Sequence, residues 1–157
     1  MTRRMFSFIA AALLGIAVAF PALVSAQNYP ASVKELVANT RKQIKTIGMP
    51  AFKAVHDAKL SSALIVDVRE PEEYAAGFVP GAVNVPRGLL EFTIWEHVGF
   101  PDKLDMNKPL FLYCKTGGRC TLAAKSLQDL GFTNVTAVVM LFEDWKKAGY
   151  PVDTPKK

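Results

Sequence analysis

The segment Cys114-Lys115-Thr116-Gly117-Gly118-Arg119-Cys120 holds the residue types and spacing that could do chemistry: a thiol, two adjacent glycines, two basic side chains and a second thiol. Leu110 to Tyr113, just before it, reads as a short apolar strand. Thr121 to Leu130, just after it, reads as a helix with Leu122, Ala123, Leu127 and Leu130 on one face. Cys114 therefore stands at a strand-to-helix turn. Adjacent glycines let such a turn curl so that successive backbone N–H groups point inward, and the helix behind it adds the positive end of its dipole. That geometry is an anion cradle. A thiol within it ionises more readily than a free cysteine, whose pKa of about 8.5 leaves only a few per cent thiolate at neutral pH. Cys114 is the candidate nucleophile.

The elements that must position this loop alternate along the chain. Val33, Leu36, Val37, Ile44 and Ile47 predict one helix over Ser32 to Ile47, with Ser32 as N-cap and Gly48 as its stop. A second helix is expected from Pro50 to Lys59, then a buried strand over Leu64 to Val68 and a brief helix over Pro71 to Ala76. A strand over Val83 to Val85 and a helix over Leu89 to Val98 follow, the latter broken by Gly99 and Pro101. After the loop and its helix come a strand over Val135 to Val139 and a last helix around Glu143 to Ala148, capped by Gly149. Short apolar strands alternating with helices predict an α/β fold, a parallel sheet covered on both faces. In such sheets ligands bind beyond the carboxyl ends of the strands, where Cys114 falls.

The N-terminus indicates where this chemistry works. Arg3 and Arg4 precede an apolar run from Ile9 to Leu14 that continues to Phe20, and Val24-Ser25-Ala26 presents small residues for cleavage. Residues 1–26 therefore read as a secretory signal peptide, with Gln27 the first mature residue. The alternative is an uncleaved membrane anchor, which the short apolar stretch and Pro21 disfavour. Without the signal, 17 basic residues face 14 acidic ones, so the net charge drops from +5 to +3. These charges are scattered, with no basic stripe, which argues against nucleic acid as a partner. The remaining length suits one domain. Both cysteines lie in one loop, so this is no disulfide scaffold, and His56 and His97 are too isolated to complete a metal site with them. An exported protein that keeps cysteines only at one candidate site invites a chemical explanation, because thiols are at risk of oxidation there.

Four blocks in order carry a family resemblance: Asp67-Val68-Arg69-Glu70-Pro71-Glu72-Glu73-Tyr74; Gly77 to Pro86; Tyr113-Cys114 to Arg119; and Trp145 with Ala148-Gly149-Tyr150-Pro151. Together they resemble the signature blocks of rhodanese-type sulfurtransferases. The resemblance implies a three-layer α/β/α fold around a central, mostly parallel five-stranded sheet. Taken with the residue readings of the two ends, it divides the chain into a signal (1–26), an N-terminal helical extension (27–49), the rhodanese-like domain (50–152) and a disordered tail (153–157). It further implies a periplasmic thiosulfate sulfurtransferase with no cofactor and no metal. Cys114 would take sulfane sulfur from a small anionic donor such as thiosulfate, hold it as a persulfide and pass it to a thiophilic acceptor or a partner thiol protein. After signal cleavage no stable membrane insertion is expected.

On this reading, N–H groups from Thr116 through Gly117 and Gly118 to Arg119 stabilise the anionic persulfide, and Lys115 draws in the donor. Arg119 either binds substrate or locks the loop to a carboxylate. Asp67, Arg69 and Glu73 are expected to support the loop, Asp67 by accepting loop N–H groups and Arg69 by pairing with Glu73 at helical separation. Two departures stand out. Met140-Leu141 replaces paired glycines, which could narrow the mouth. Cys120 replaces a small hydroxyl residue, either as a buried serine substitute or as a resolving thiol. A redox or sulfur-relay protein and a non-catalytic binding module are therefore the competing functions. Phosphatases of this fold place five residues between cysteine and arginine, whereas four separate Cys114 from Arg119.

Overall fold

Every strand pair in the central sheet of this computed structural model, which describes residues 29–155, is parallel. The signal-like residues 1–26 lie outside the described residues, as do the first residues of the extension and the last two of the tail. The strands are β1 (Lys45–Gly48), β2 (Leu64–Asp67), β3 (Val83–Asn84), β4 (Leu110–Tyr113) and β5 (Val135–Val139), in the order β1-β5-β4-β2-β3. The helices are α1 (Ala31–Arg41), α2 (Met49–Asp57), α3 (Pro71–Ala75), α4 (Leu90–Thr93, extended by a 3₁₀ turn over Ile94–His97), α5 (Gly118–Asp129) and α6 (Phe142–Lys147). Among the described residues no helix is long and apolar enough to cross a membrane.

The period-two alternation of β4 divides the core. Leu110, Leu112 and Cys114 face a cluster built with Val66, Leu90, Ile94, Ala123 and Leu127, under α4 and α5. Tyr113 faces the opposite cluster with Phe52, Val138, Phe142 and Trp145, under α2 and α6. Trp145 is fully buried, and its Nε1–H donates to the Pro151 carbonyl at 2.9 Å, so it anchors the core and binds no substrate. The pleat thus aims the Cys114 side chain at the start of α5.

Two expectations need correction. The single helix over Ser32 to Ile47 is instead α1, which starts after Pro30 and ends at Arg41, followed by a turn and β1. Ile44 and Ile47 fit helical spacing equally well, but pairing of Lys45 to Gly48 with Thr136 to Val139 supplies a ladder that no sequence window displays. β1 thereby joins residues before 50 to the sheet. The tail is tied at its first residue: Asp153 and Phe78 exchange both backbone hydrogen bonds at 2.8 Å, an antiparallel bridge.

Candidate active site

Gly117 is the hinge of the loop. Its φ of +86° is left-handed, and a Cβ there would lie 3.2 Å from Val139 Cγ1 and 3.3 Å from Val139 Cα. Glycine is therefore required both for conformation and for space. The turn brings the Gly117 N–H to 3.2 Å from Cys114 Sγ and starts α5 immediately afterwards. Thr121 Oγ1 donates back to the Gly117 carbonyl at 2.6 Å, and the Lys115 carbonyl accepts the Phe142 N–H at 3.0 Å. The loop is thus pinned to the first turns of both α5 and α6.

Cys114 is only 1% exposed, yet its sulfur is surrounded by donors. The Cys120 thiol is the largest influence, with the backbone N–H groups of Cys120, Thr116 and Gly117; together they pull the Cys114 pKa down to about 6, against burial that pushes it up. Charge-assisted hydrogen bonds of this kind are the strong ones, which is why a desolvated sulfur can still ionise. Cys120, fully buried, moves the other way: its bond to Cys114 and its burial raise it well above an ordinary thiol. In the structure the Cys120 thiol donates to the Val138 carbonyl oxygen at 3.3 Å.

The basic and acidic candidates take different partners from those expected. Arg69 does not reach Glu73. It closes on Asp67, with Nε 2.9 Å and 3.0 Å from the two carboxylate oxygens and Nη2 2.6 Å from Oδ2, and Nη2 also donates to the Gly77 carbonyl at 2.7 Å. The two-residue separation works because β2 ends between them and the chain turns, so helical spacing does not apply. Asp67 does accept a backbone N–H, that of Arg69, at 3.0 Å. Glu73 instead binds Arg119 through two bonds of 2.7 Å and 2.9 Å, which lowers the Glu73 pKa and raises that of Arg119. Arg119 is thus the member that locks the loop to a carboxylate.

Lys115 and Thr116 are exposed and line a cavity of about 620 Å³ together with Gly118 and Arg119. Neither Met140 nor Leu141 lines it: Met140 is packed in the core against α2 and α6, and Leu141 is half exposed beside α6. Trp95 lies away from the loop, 5.5 Å from the Phe132 ring beyond the far end of α5. Arg87 ties α4 to α5 through Glu91 and Ser126, each at 2.8 Å. Among the described residues no group of three His, Cys, Asp or Glu side chains is placed to hold a metal.

One residue at the cavity escaped the sequence reading. Arg41, at the end of α1, lines it, and Arg41 Nη2 would stand 3.7 Å from a Cβ on Gly117. Only the pairing of β1 with β5 brings α1 over α5, so no local pattern marks this arginine.

Residues 52–148 match the Rhodanese-like domain. The chain is 32% identical over 106 residues to the thiosulfate sulfurtransferase GlpE of Pseudomonas putida, covering 68% of this chain and 89% of that one. It is 29% identical over 137 residues to the thiosulfate:glutathione sulfurtransferase of Saccharomyces cerevisiae, covering 82% and 94%. A 34% identical relative in Bacillus subtilis is longer, and the matched segment spans 51% of it. Among solved structures, a protein of unknown function from Rhodopseudomonas palustris, described as a possible tyrosine phosphatase, superposes with a TM-score of 0.67 at 30% identity, covering 81% of this chain and 98% of that one.

Proposed function

The chain belongs to the rhodanese-like domain family, and from that premise we propose that it moves sulfane sulfur through a persulfide on Cys114, from thiosulfate or a similar anionic donor to a thiophilic acceptor. The observation that carries the reading is the placement of Cys114 between β4 and α5, its Sγ 3.2 Å from the Gly117 N–H, in surroundings that lower its pKa to about 6 despite burial. The Cys114 thiolate attacks the outer sulfur of thiosulfate. A sulfur–sulfur bond forms as the bond to the sulfonate sulfur breaks, and sulfite leaves with the electron pair. The persulfide anion keeps the negative charge at the same donors, so the loop serves as nucleophile holder and intermediate stabiliser. Attack of the acceptor on the outer sulfur returns Cys114 as thiolate.

Two features argue against phosphoryl transfer, the activity suggested for the Rhodopseudomonas protein. Only four residues separate Cys114 from Arg119, and both terminal nitrogens of Arg119 are taken up by the Glu73 carboxylate. The cavity rim, with exposed Lys115, suits a small sulfur anion drawn in by charge. The reading also places the mature protein in the periplasm; processing to Gln27, read by N-terminal sequencing of the exported product, tests that part.

Intact-protein mass spectrometry after incubation with thiosulfate tests the chemistry. The wild type should gain one sulfur atom, reversed by reductant or cyanide, and Cys114→Ser should gain none. Turnover of Cys114→Ser should fall by at least about a thousandfold, as for loss of a covalent nucleophile. Wild-type protein that takes up no sulfur would reject the reading.

The bond between the two thiols favours one second reading, a relay. The Cys120 thiol would attack the Cys114 persulfide, forming a Cys114–Cys120 disulfide and releasing hydrosulfide, with atoms and charge in balance. The raised pKa of Cys120 keeps it protonated, which makes it a poor attacker. A product lighter by two hydrogens, with sulfide in solution, would select the relay instead.

A further inference from the structure

We propose that two copies of this chain associate through the helical layer formed by α1, α5 and α4, with α1 of each copy lying against α4 of the other. The inference stands independently of the sulfur-transfer reading.

Exposed apolar side chains lie at both ends of that layer. Leu90, Ile94 and Val98 recur at helical spacing and fill the core, which turns Leu89 and Phe92 outward, 54% and 81% exposed. Phe100 is exposed as well, and its ring meets Trp95 edge-on with centroids 6.4 Å apart. At the other end, α1 fully buries only Thr40. Val33 and Leu36, three residues apart and so on one face of α1, stay in solvent. A single exposed leucine is ordinary, but apolar stripes on two helices of one layer point to an interaction surface.

The topology puts both stripes on the same side of the sheet. α1 and α4 each pack against α5: Val37 Cγ2 of α1 would stand 3.9 Å from a Cβ on Gly118, and Arg87 just before α4 binds Ser126 at 2.8 Å. α1 leads into the edge strand β1, and α4 follows the opposite edge strand β3. α5 therefore lies between them.

Charge identifies the occupant. Residues 31–45 carry Lys34, Arg41, Lys42 and Lys45 against Glu35, a net charge of +3. Residues 87–105 carry Glu91, Glu96, Asp102 and Asp105 against Arg87 and Lys103, a net charge of −2. A partner of uniform charge suits one end of the layer and is repelled by the other. A second copy, turned about a two-fold axis over α5, brings the basic end onto the acidic end twice. Such an interface is self-complementary and closes at two copies. Leu89 and Phe92 of each copy then cover Val33 and Leu36 of the other, removing both stripes from water.

Sedimentation equilibrium tests the pairing. The protein should show a monomer–dimer equilibrium that weakens with added salt. Phe92→Ser should weaken it by at least about tenfold, because the ring is lost from both ends of the interface. Two charge-reversed variants then test its geometry. Lys42→Glu with Lys45→Glu makes both ends acidic, and Glu96→Lys with Asp102→Lys makes both ends basic; all four side chains are exposed, so the fold should survive, as thermal unfolding would verify. Each variant alone should be monomeric, and mixing the two should restore a dimer close to wild-type affinity. A wild type that stays monomeric at every soluble concentration would overturn the proposal. A dimer that survives Phe92→Ser and both reversals would place the contact elsewhere, such as the apolar run from Ile9 to Phe20, and reject this face. Monomeric variants that fail to pair on mixing would reject the α1-to-α4 arrangement. Binding to phosphatidylglycerol vesicles without any dimer in solution would assign the face to a membrane surface and reject the second copy.

Discussion

Beneath the active loop the Asp67 and Arg69 side chains are sealed, 0% and 5% exposed, whereas on its outer side Glu73 and Arg119 pair with 30% and 32% of their side chains in solvent. Both pairs are short and multiply bonded, and three of their four members, Asp67, Arg69 and Glu73, were expected as loop support. Burial separates them. Desolvated charges are held only while every partner is present, so removing one leaves the other stranded. Solvent can replace either member of an exposed pair. Arg69 is further enclosed by the Phe142 ring, whose centroid lies 4.0 Å from its guanidinium carbon. The inner pair is architecture and the outer pair is an adjustable latch.

The sharpest way to break this contrast is Asp67→Ala. It should destabilise the protein by about 3–5 kcal/mol in chemical denaturation, the cost of a buried charge without its partner. A loss below about 1 kcal/mol would show that Arg69 finds another acceptor and that the inner pair is no more structural than the outer one.

The two thiols repeat the contrast within one hydrogen bond: Cys114 gives up its proton with a pKa of about 6, and Cys120 keeps its own. Cys120→Ala should raise the Cys114 midpoint by about one to two pH units, measured by thiolate absorbance in the ultraviolet, because a charge-assisted donor contributes about 1.5–3 kcal/mol. Sulfur loading at pH 6–7 should fall in proportion to the thiolate lost. Cys120→Ser, which keeps a donor, should hold the midpoint near the wild-type value. A midpoint unmoved by alanine would assign the cradle to backbone amides alone.

The smallest effect belongs to the latch. Glu73→Gln preserves an acceptor for the Glu70 N–H, which Glu73 caps at 3.1 Å, but removes the charge facing Arg119. Stability should change by less than about 1 kcal/mol at pH 7. The Glu73 pKa is lowered in the folded state, so its contribution is complete above the ordinary glutamate range and disappears as acid titrates the folded carboxyl. The variant should lose that acid-side dependence and differ least from wild type at low pH. A large loss at pH 7 would make the outer pair as structural as the inner one.

Much of the site was legible because it is contiguous. The strand into Cys114, the glycine pair and the following helix occupy one stretch of chain, so pattern and turn chemistry reach the cradle without a fold. The partners of the charged groups were harder to read. Arg69 and Glu73 sit four apart, but the helix begins after Arg69, and Glu73 meets Arg119 from 46 residues away. The cradle is also narrower than the loop suggested: amides of Thr116, Gly117 and Cys120 reach the sulfur, and the Cys120 thiol outweighs each of them. Helical spacing likewise hid β1, because Ile44 and Ile47 satisfy both periods.

By itself the chain determined its alternation of short apolar strands and helices, the glycine-bearing turn after Cys114 and hence the kind of chemistry that turn can hold, since all of these depend on neighbours in sequence. Only tertiary structure decided that Asp67 would be sealed onto Arg69, that the Cys120 thiol would be buried beside Cys114, and that Arg41 would reach the cavity. Each of these depends on a distant partner, on strand register or on exclusion of water. β1 laid beside β5 carries α1 across the mouth of α5, and that long-range pairing turns an unremarked helix end into part of the site.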